Sequence, residues 1–278
     1  MDRIITLGLL GLLIACGDKD TDDTSSTEES DTDTDTDTDT DTDTDTDTDT
    51  DLDLVEVTGT VTYDDGTNPD GAVRVQMCQA SCFPAFPDSS GAFSYAGLEA
   101  GAYSFDTVPL SEDGTAPEFY STPLDIVTVP EGESSFSISS DVVIYAFTDR
   151  GSLSDDALVV GDLTVEIDSG TITRTTEEDD AEYVAGVQVD SVASGLPLSD
   201  LSGTVVGMWY LAPFKAKVSG WGFTVSNLSL ADDTELRAYN ANYDGIIWDD
   251  LGTLTVTGGV ASGDVSLNHL STLVLVQQ

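Results

Sequence analysis

Val55-Glu56-Val57-Thr58-Gly59-Thr60-Val61-Thr62-Tyr63 alternates apolar and polar side chains. That is the two-residue period of a strand with one face buried and the other in water. Asp64-Asp65-Gly66 and Pro69-Asp70-Gly71 follow it as turn chemistry. Ala72–Met77 reads as a second strand, and Asp88-Ser89-Ser90-Gly91 turns into Ala92–Tyr95. Ala102–Phe105, Asp125–Val129 and Val142–Phe147 continue the series. Beyond Arg150 the strand candidates are Leu163–Ile167, Thr171–Thr175, Ala185–Val189, Gly203–Met208, Gly222–Val225, Glu235–Tyr239, Gly252–Thr257 and Thr272–Val276. Short strands punctuated by Gly and Pro predict an all-β chain. No helical periodicity of useful length interrupts them. The expected architecture is two β-sandwich domains, over residues 54–149 and 150–278.

Within the first of these, Gly71-Ala72-Val73, Asp88-Ser89-Ser90-Gly91-Ala92-Phe93-Ser94-Tyr95, Leu98 and Gly101-Ala102-Tyr103-Ser104-Phe105 resemble the carboxypeptidase regulatory-like domain. The resemblance implies a small transthyretin-like sandwich that is non-catalytic and serves as a structural accessory. Gly91 would supply a turn position that a side chain would crowd. Phe93, Tyr95, Tyr103 and Phe105 would alternate into one core. The Thr usual in that family before the turn Asp is Pro87 here. Residues 55–148 contain no lysine, so the Lys-Asn isopeptide crosslinks of a related adhesin sandwich are impossible there.

Ahead of the first strand lies a different kind of sequence. Ile4–Ile14 is an apolar run of eleven residues, shorter than the roughly 20 that span a bilayer as a helix. It ends in Leu13-Ile14-Ala15-Cys16, which resembles the lipobox of bacterial lipoproteins. The resemblance implies a signal peptide over residues 1–15, cleavage before Cys16 and lipid, palmitate included, on Cys16. Position 17 is Gly rather than Asp, which leans towards the outer membrane and a surface-exposed head. Residues 17–53 hold 18 acids against Lys19 alone, and Asp31–Asp51 is an unbroken Asp-Thr alternation. With no apolar face to offset ordering entropy, residues 16–53 are expected to form a disordered acidic tether. Its 37 residues after Cys16 reach about 120 Å at full extension.

The formal net charge is −45. Phosphate backbones are bound by clusters of Lys and Arg, so nucleic acid is excluded as a partner. The expected partners are the membrane, through the N-terminal lipid, and an envelope protein or glycan. The three cysteines are Cys16, Cys78 and Cys82. With Cys16 lipidated, the remaining pair reads as a disulfide in an oxidising compartment. Metal binding by the C-x3-C pair would need two further ligands, and the only histidine is the distant His269. The bridge requires residues 79–81 to reverse tightly, because bridged Cα atoms lie about 4.4–6.8 Å apart.

Trp209, Trp221 and Trp248 would suit a sugar-stacking platform if exposed, or core packing if buried. Acid clusters at Glu177–Asp180, Asp232-Asp233 and Asp249-Asp250 raise calcium, but no EF-hand loop is present. A Ser-His-Asp triad has His269 as its sole candidate base. There is neither a G-x-S-x-G elbow nor an H-E-x-x-H motif. The expectation is a non-enzymatic envelope lipoprotein with a structural or interaction role, without cofactor or metal. The alternative is a carbohydrate- or calcium-binding surface protein, and a cryptic hydrolase follows behind.

Overall fold

The alternating run Val55–Tyr63 forms β1; Val55, Val57 and Val61 are fully buried while Glu56 is exposed. The structure, a computed structural model, describes residues 54–110, 119–174 and 181–278, so Cys16, the Asp-Thr segment and the acid cluster at 177–180 lie outside the described residues. The described residues fall within one compact unit, Thr50–Gln278.

Six further strands complete the N-terminal part: β2 (Val73–Cys78), β3 (Cys82–Ala85), β4 (Ala92–Leu98), β5 (Gly101–Pro109), β6 (Leu124–Val129) and β7 (Ser135–Ile144). They make two sheets, ordered β4-β1-β7 and β3-β2-β5-β6. β1 runs antiparallel to β4 and parallel to β7. The inward side chains of both sheets, including Val57, Val61, Phe93, Val75, Met77 and Phe105, share one apolar cluster. The expected aromatic alternation holds: Phe93, Tyr95, Tyr103 and Phe105 are all 6% exposed or less. Phe93 stacks on Phe105 with ring centroids 6.0 Å apart, an arrangement worth about 1 kcal/mol beyond the buried area. Gly91 has φ +81°, and a Cβ there would lie 2.3 Å from the Val61 carbonyl oxygen. Only glycine fits that turn.

The C-terminal strands are β8 (Asp149–Ser152), β9 (Ala157–Val160), β10 (Leu163–Glu166), β11 (Tyr183–Gln188), β12 (Thr204–Ala212), β13 (Ala216–Val225), β14 (Glu235–Asn242), β15 (Ile247–Thr257), β16 (Val260–Ser262), β17 (Ser266–Leu270) and β18 (Thr272–Gln277). They join in a single eleven-stranded sheet, β8-β11-β12-β18-β14-β15-β16-β13-β10-β9, with β17 paired to β13. β9 lies against β8 and β11, so the sheet curls until its ends meet. The enclosed space is filled by Trp209, Trp221, Phe223, Leu236, Leu254 and their neighbours.

The middle of this sheet is buried on both faces. Trp209 and Leu211 on β12, with Leu273 and Leu275 on β18, fill the curled sheet. Met208, Tyr210, Val274 and Val276 point the other way, into the cluster shared with β1–β7. This explains why Met208–Ala212 and Leu273–Val276 are continuous apolar runs rather than alternating ones. Polar bonds flank the shared core. The Leu124 amide donates to Thr272 Oγ1 at 3.1 Å, and the Leu198 amide to Asp125 Oδ2 at 2.8 Å. Lys215 Nζ lies 3.6 Å from Asp106 Oδ2, with both side chains largely buried. Gly195, at φ +71°, brings its loop so close to β7 that a Cβ would sit 1.7 Å from the Asp141 carbonyl oxygen.

Several elements depart from expectation. Of the expected strand Thr171–Thr175, the described residues 171–174 do not form a strand, and Thr175 lies outside the described residues. Asp168 caps a 3₁₀ turn over Ser169–Thr171, and only Thr173 bridges, to Lys217. The Asp168 carboxylate accepts from the Gly170 amide at 3.1 Å, and such local side-chain bonding outcompetes a ladder. β3, β8, β9, β16 and β17 are additional, and β7 begins seven residues before the expected Val142. β3 carries Pro84 and lies at a sheet edge, the position in which proline is tolerated.

Candidate functional site

The outward face of the β4-β1-β7 sheet carries hydroxyls where the inward face carries Val and Phe. Thr58 on β1 is directly paired with Ser94 on β4 and with Ser137 on β7. With strands about 4.8 Å apart, the three form a row roughly 10 Å long across the sheet. Among the described residues none of these hydroxyls has a hydrogen-bond partner. Thr60, one step along β1, is committed instead to Asp141, to which its hydroxyl donates. Gly59 lies between Thr58 and Thr60, and a Cβ there would meet the Phe93 ring at 2.5 Å. The missing side chain lets Phe93 pack close under β1.

The row lines a groove of about 870 Å³. The edge segment Pro84–Phe86 also lines it, and Phe86 is 57% exposed. Asp88 is the one charged residue of the lining. Its Oδ1 accepts from the Ser90 hydroxyl at 2.6 Å and from the amides of Ser90 and Ala92 at 2.8 and 3.1 Å. The Ser90 side-chain bond, then the backbone amides, hold its carboxyl below the usual carboxylate range. The groove therefore offers free hydroxyls, an exposed aromatic ring and no cation. It has the mixture of apolar wall and few polar groups that suits a small ligand.

Other residues singled out in the sequence are not gathered at this groove. Cys78 and Cys82 form a disulfide, paired across the β2–β3 hairpin with residues 79–81 as its reversal. Their sulfurs meet the Tyr243 hydroxyl, at 3.2 Å for Cys78 and 3.0 Å for Cys82. The Lys215 ammonium lies 3.5 Å from the Tyr243 ring centroid. Trp209 and Trp221 are core residues, 0% and 1% exposed. Trp248 is partly buried against the shared core. No sugar platform is formed by the tryptophans.

His269 is buried on β17. Its Nδ1 is 3.7 Å from Asp249 Oδ2, and burial lowers its pKa. Among the described residues no serine, threonine or cysteine bonds to its ring, so no triad assembles there. Asp249 also accepts from the side-chain amides of Asn242 and Asn268, at 3.0 and 3.4 Å. Asp250 pairs with Arg237, and Asp232 accepts from the Gly258 amide at 2.7 Å. Asp232, Asp249 and Asp250 are thus spent on internal contacts. No group of three or more His, Cys, Asp or Glu among the described residues could hold a metal ion. Two buried acids, Asp106 and Asp125, sit on neighbouring strands in opposite pairs of the β5–β6 ladder, opposite Leu124 and Phe105 respectively. Consecutive rungs face opposite sides of a sheet, so these carboxylates do not converge in one cleft.

The groove itself was not anticipated. Its only sequence signal is the run of threonines on β1. The pairing of Thr58 with Ser94 and Ser137 joins residues 36 and 79 positions away, on strands that are not consecutive in sequence, which no local pattern encodes.

No family model and no curated protein matches the chain. Among solved structures, it is similar to a DUF3823 family protein from Parabacteroides merdae, with 13% identity, 76% of this chain and 82% of that one covered and a TM-score of 0.24. A DUF3823 family protein from Bacteroides ovatus shows 13% identity, 81% and 82% coverage and a TM-score of 0.23. The Bacillus anthracis TIE protein shows 8% identity, 81% and 48% coverage and a TM-score of 0.27. At these TM-scores the alignments carry no argument about function, and what this chain does is read from its own residues.

Proposed function

We propose that this chain is a lipid-anchored bacterial envelope protein whose β-rich head works by binding, without catalysis. The observation that carries the binding half is the open groove on β4-β1-β7, with its three unpartnered hydroxyls and exposed Phe86. The anchoring half rests on Leu13-Ile14-Ala15-Cys16. A single acyl chain holds a protein to a membrane only marginally, whereas two or more anchor it stably, and a lipidated N-terminal cysteine of this type supplies them. The acidic segment between anchor and head would keep the groove clear of the headgroups. Its carboxylates repel one another and extend the chain. The non-catalytic reading rests on His269 having no nucleophile and on the buried acids facing apart.

The test of the anchor is fractionation with palmitate labelling in a bacterial host that processes lipoproteins. Wild-type protein should incorporate label and sediment with membranes, and Cys16→Ala should do neither. A Cys16→Ala protein that stays in the membrane pellet would refute the proposal.

A further inference from the structure

From the chemistry of the groove we infer that its ligand is a neutral oligosaccharide. Thr58, Ser94 and Ser137 each supply a hydroxyl that can donate and accept, as the hydroxyls of a sugar also do. They stand in a row, as a linear chain of repeated polar groups requires. Phe86, 57% exposed and also lining the groove, gives an apolar ring against which the C–H face of a sugar can lie. The alternatives fit less well. A phosphorylated or uronic ligand calls for Lys or Arg, and none lines the groove. Residues 54–278 carry 34 acids and 6 bases, a field that repels polyanions. The chain's own Asp-Thr segment is excluded by the same repulsion. A purely apolar ligand would bury the hydroxyl row without partners, which costs free energy.

This inference rests on the head being a binding module and is independent of the anchor. Fractionation can therefore fail while the titration below succeeds, and the reverse. Full-length protein in detergent is titrated calorimetrically with cellohexaose, maltohexaose and mannohexaose, and with oligogalacturonate as the anionic comparison. Saturation-transfer NMR identifies the sugar protons in contact. At least one neutral hexasaccharide should bind at millimolar concentration or below, with transfer to its C–H protons, and oligogalacturonate should not bind. Phe86→Ala should weaken that binding about tenfold, the loss of one aromatic contact. Its melting temperature should be unchanged, because the ring is exposed. Ile247→Ala, also at an exposed apolar residue but on another sheet, should bind as wild type does. Absence of binding by every neutral hexasaccharide, wild-type affinity in Phe86→Ala, or equal binding of oligogalacturonate would each overturn the inference.

Discussion

β1 and β18 are both central strands, yet they are written differently. β1 reads Val-Glu-Val-Thr-Gly-Thr-Val-Thr-Tyr and β18 reads Thr-Leu-Val-Leu-Val-Gln. β1 belongs to a sheet with one face on a core and the other in the open groove. β18 lies between two cores, the curled sheet on one side and the shared cluster on the other. Alternation therefore reports one buried face, and an unbroken apolar run reports two. The comparison also explains why the groove occurs on the N-terminal sheet: a strand can present hydroxyls outward only where nothing packs on its outer face.

The sharpest way to break the arrangement is at the contact that brings the 189–203 loop onto β7. Gly195→Ala places a methyl against the Asp141 carbonyl and forces a side chain into a left-handed conformation. The backbone strain costs about 1–3 kcal/mol by itself, and the clash adds to it. The variant should lose about 3 kcal/mol or more in denaturant unfolding. A loss below about 1 kcal/mol would mean that the loop does not need this approach.

Asp125 offers a pH-dependent test of the same junction. It is fully buried, and burial raises its carboxyl to about 7, against the opposing effect of the Leu198 and Ile126 amides. Between the ordinary carboxylate value and 7, the folded state holds a proton that the unfolded state has released. The stability from that proton is fully present at the acid end and falls as pH rises through 7, by a few kcal/mol, roughly, in all. Thermal unfolding of wild type minus Asp125→Asn should show this decline between pH 4 and 8. A flat difference would show the group to be solvated or ionised throughout.

Adjacent alanine substitutions sharpen the contrast between the strands. On β18, Val274→Ala and Leu275→Ala should each cost about 2–3 kcal/mol, since each empties a different core. On β1, Val61→Ala should cost roughly 2 kcal/mol, and its neighbour Thr62→Ala less than about 0.5. Equal losses across the β1 pair, or a silent member of the β18 pair, would erase the distinction.

A small effect is expected at the Cys78–Cys82 bridge. It closes a loop far shorter than the 15 residues worth roughly 3 kcal/mol. Replacing both by serine should lower the melting temperature by a few degrees, as about 1 kcal/mol does in a domain of roughly 100 residues. Mass spectrometry of non-reduced peptides should find the two linked. Two free thiols in the isolated protein, or outright unfolding of the double variant, would contradict the assignment.

Much of this fold was legible in the chain. The one-sided alternation of β1, the turn glycine Gly91, the four aromatics of the N-terminal core and the Cys78–Cys82 reversal all follow from local rules. Those rules are the pleat, left-handed backbone and the reach of a disulfide, and each acts within a few residues. Strands that are short or depart from the pattern, such as β3 with its proline and β16 with three residues, left too little signal.

The sequence by itself determined that the described part is built of strands, which positions turn and which aromatics go inside. It also set the formal net charge of −45. Only the tertiary structure decided that Met208–Ala212 and Leu273–Val276 serve two cores at once. It also decided that Thr58, Ser94 and Ser137 share one row. A side chain's alternation is fixed by its own backbone, but which strand lies beside it is fixed by contacts far along the chain. The groove is made of such contacts alone.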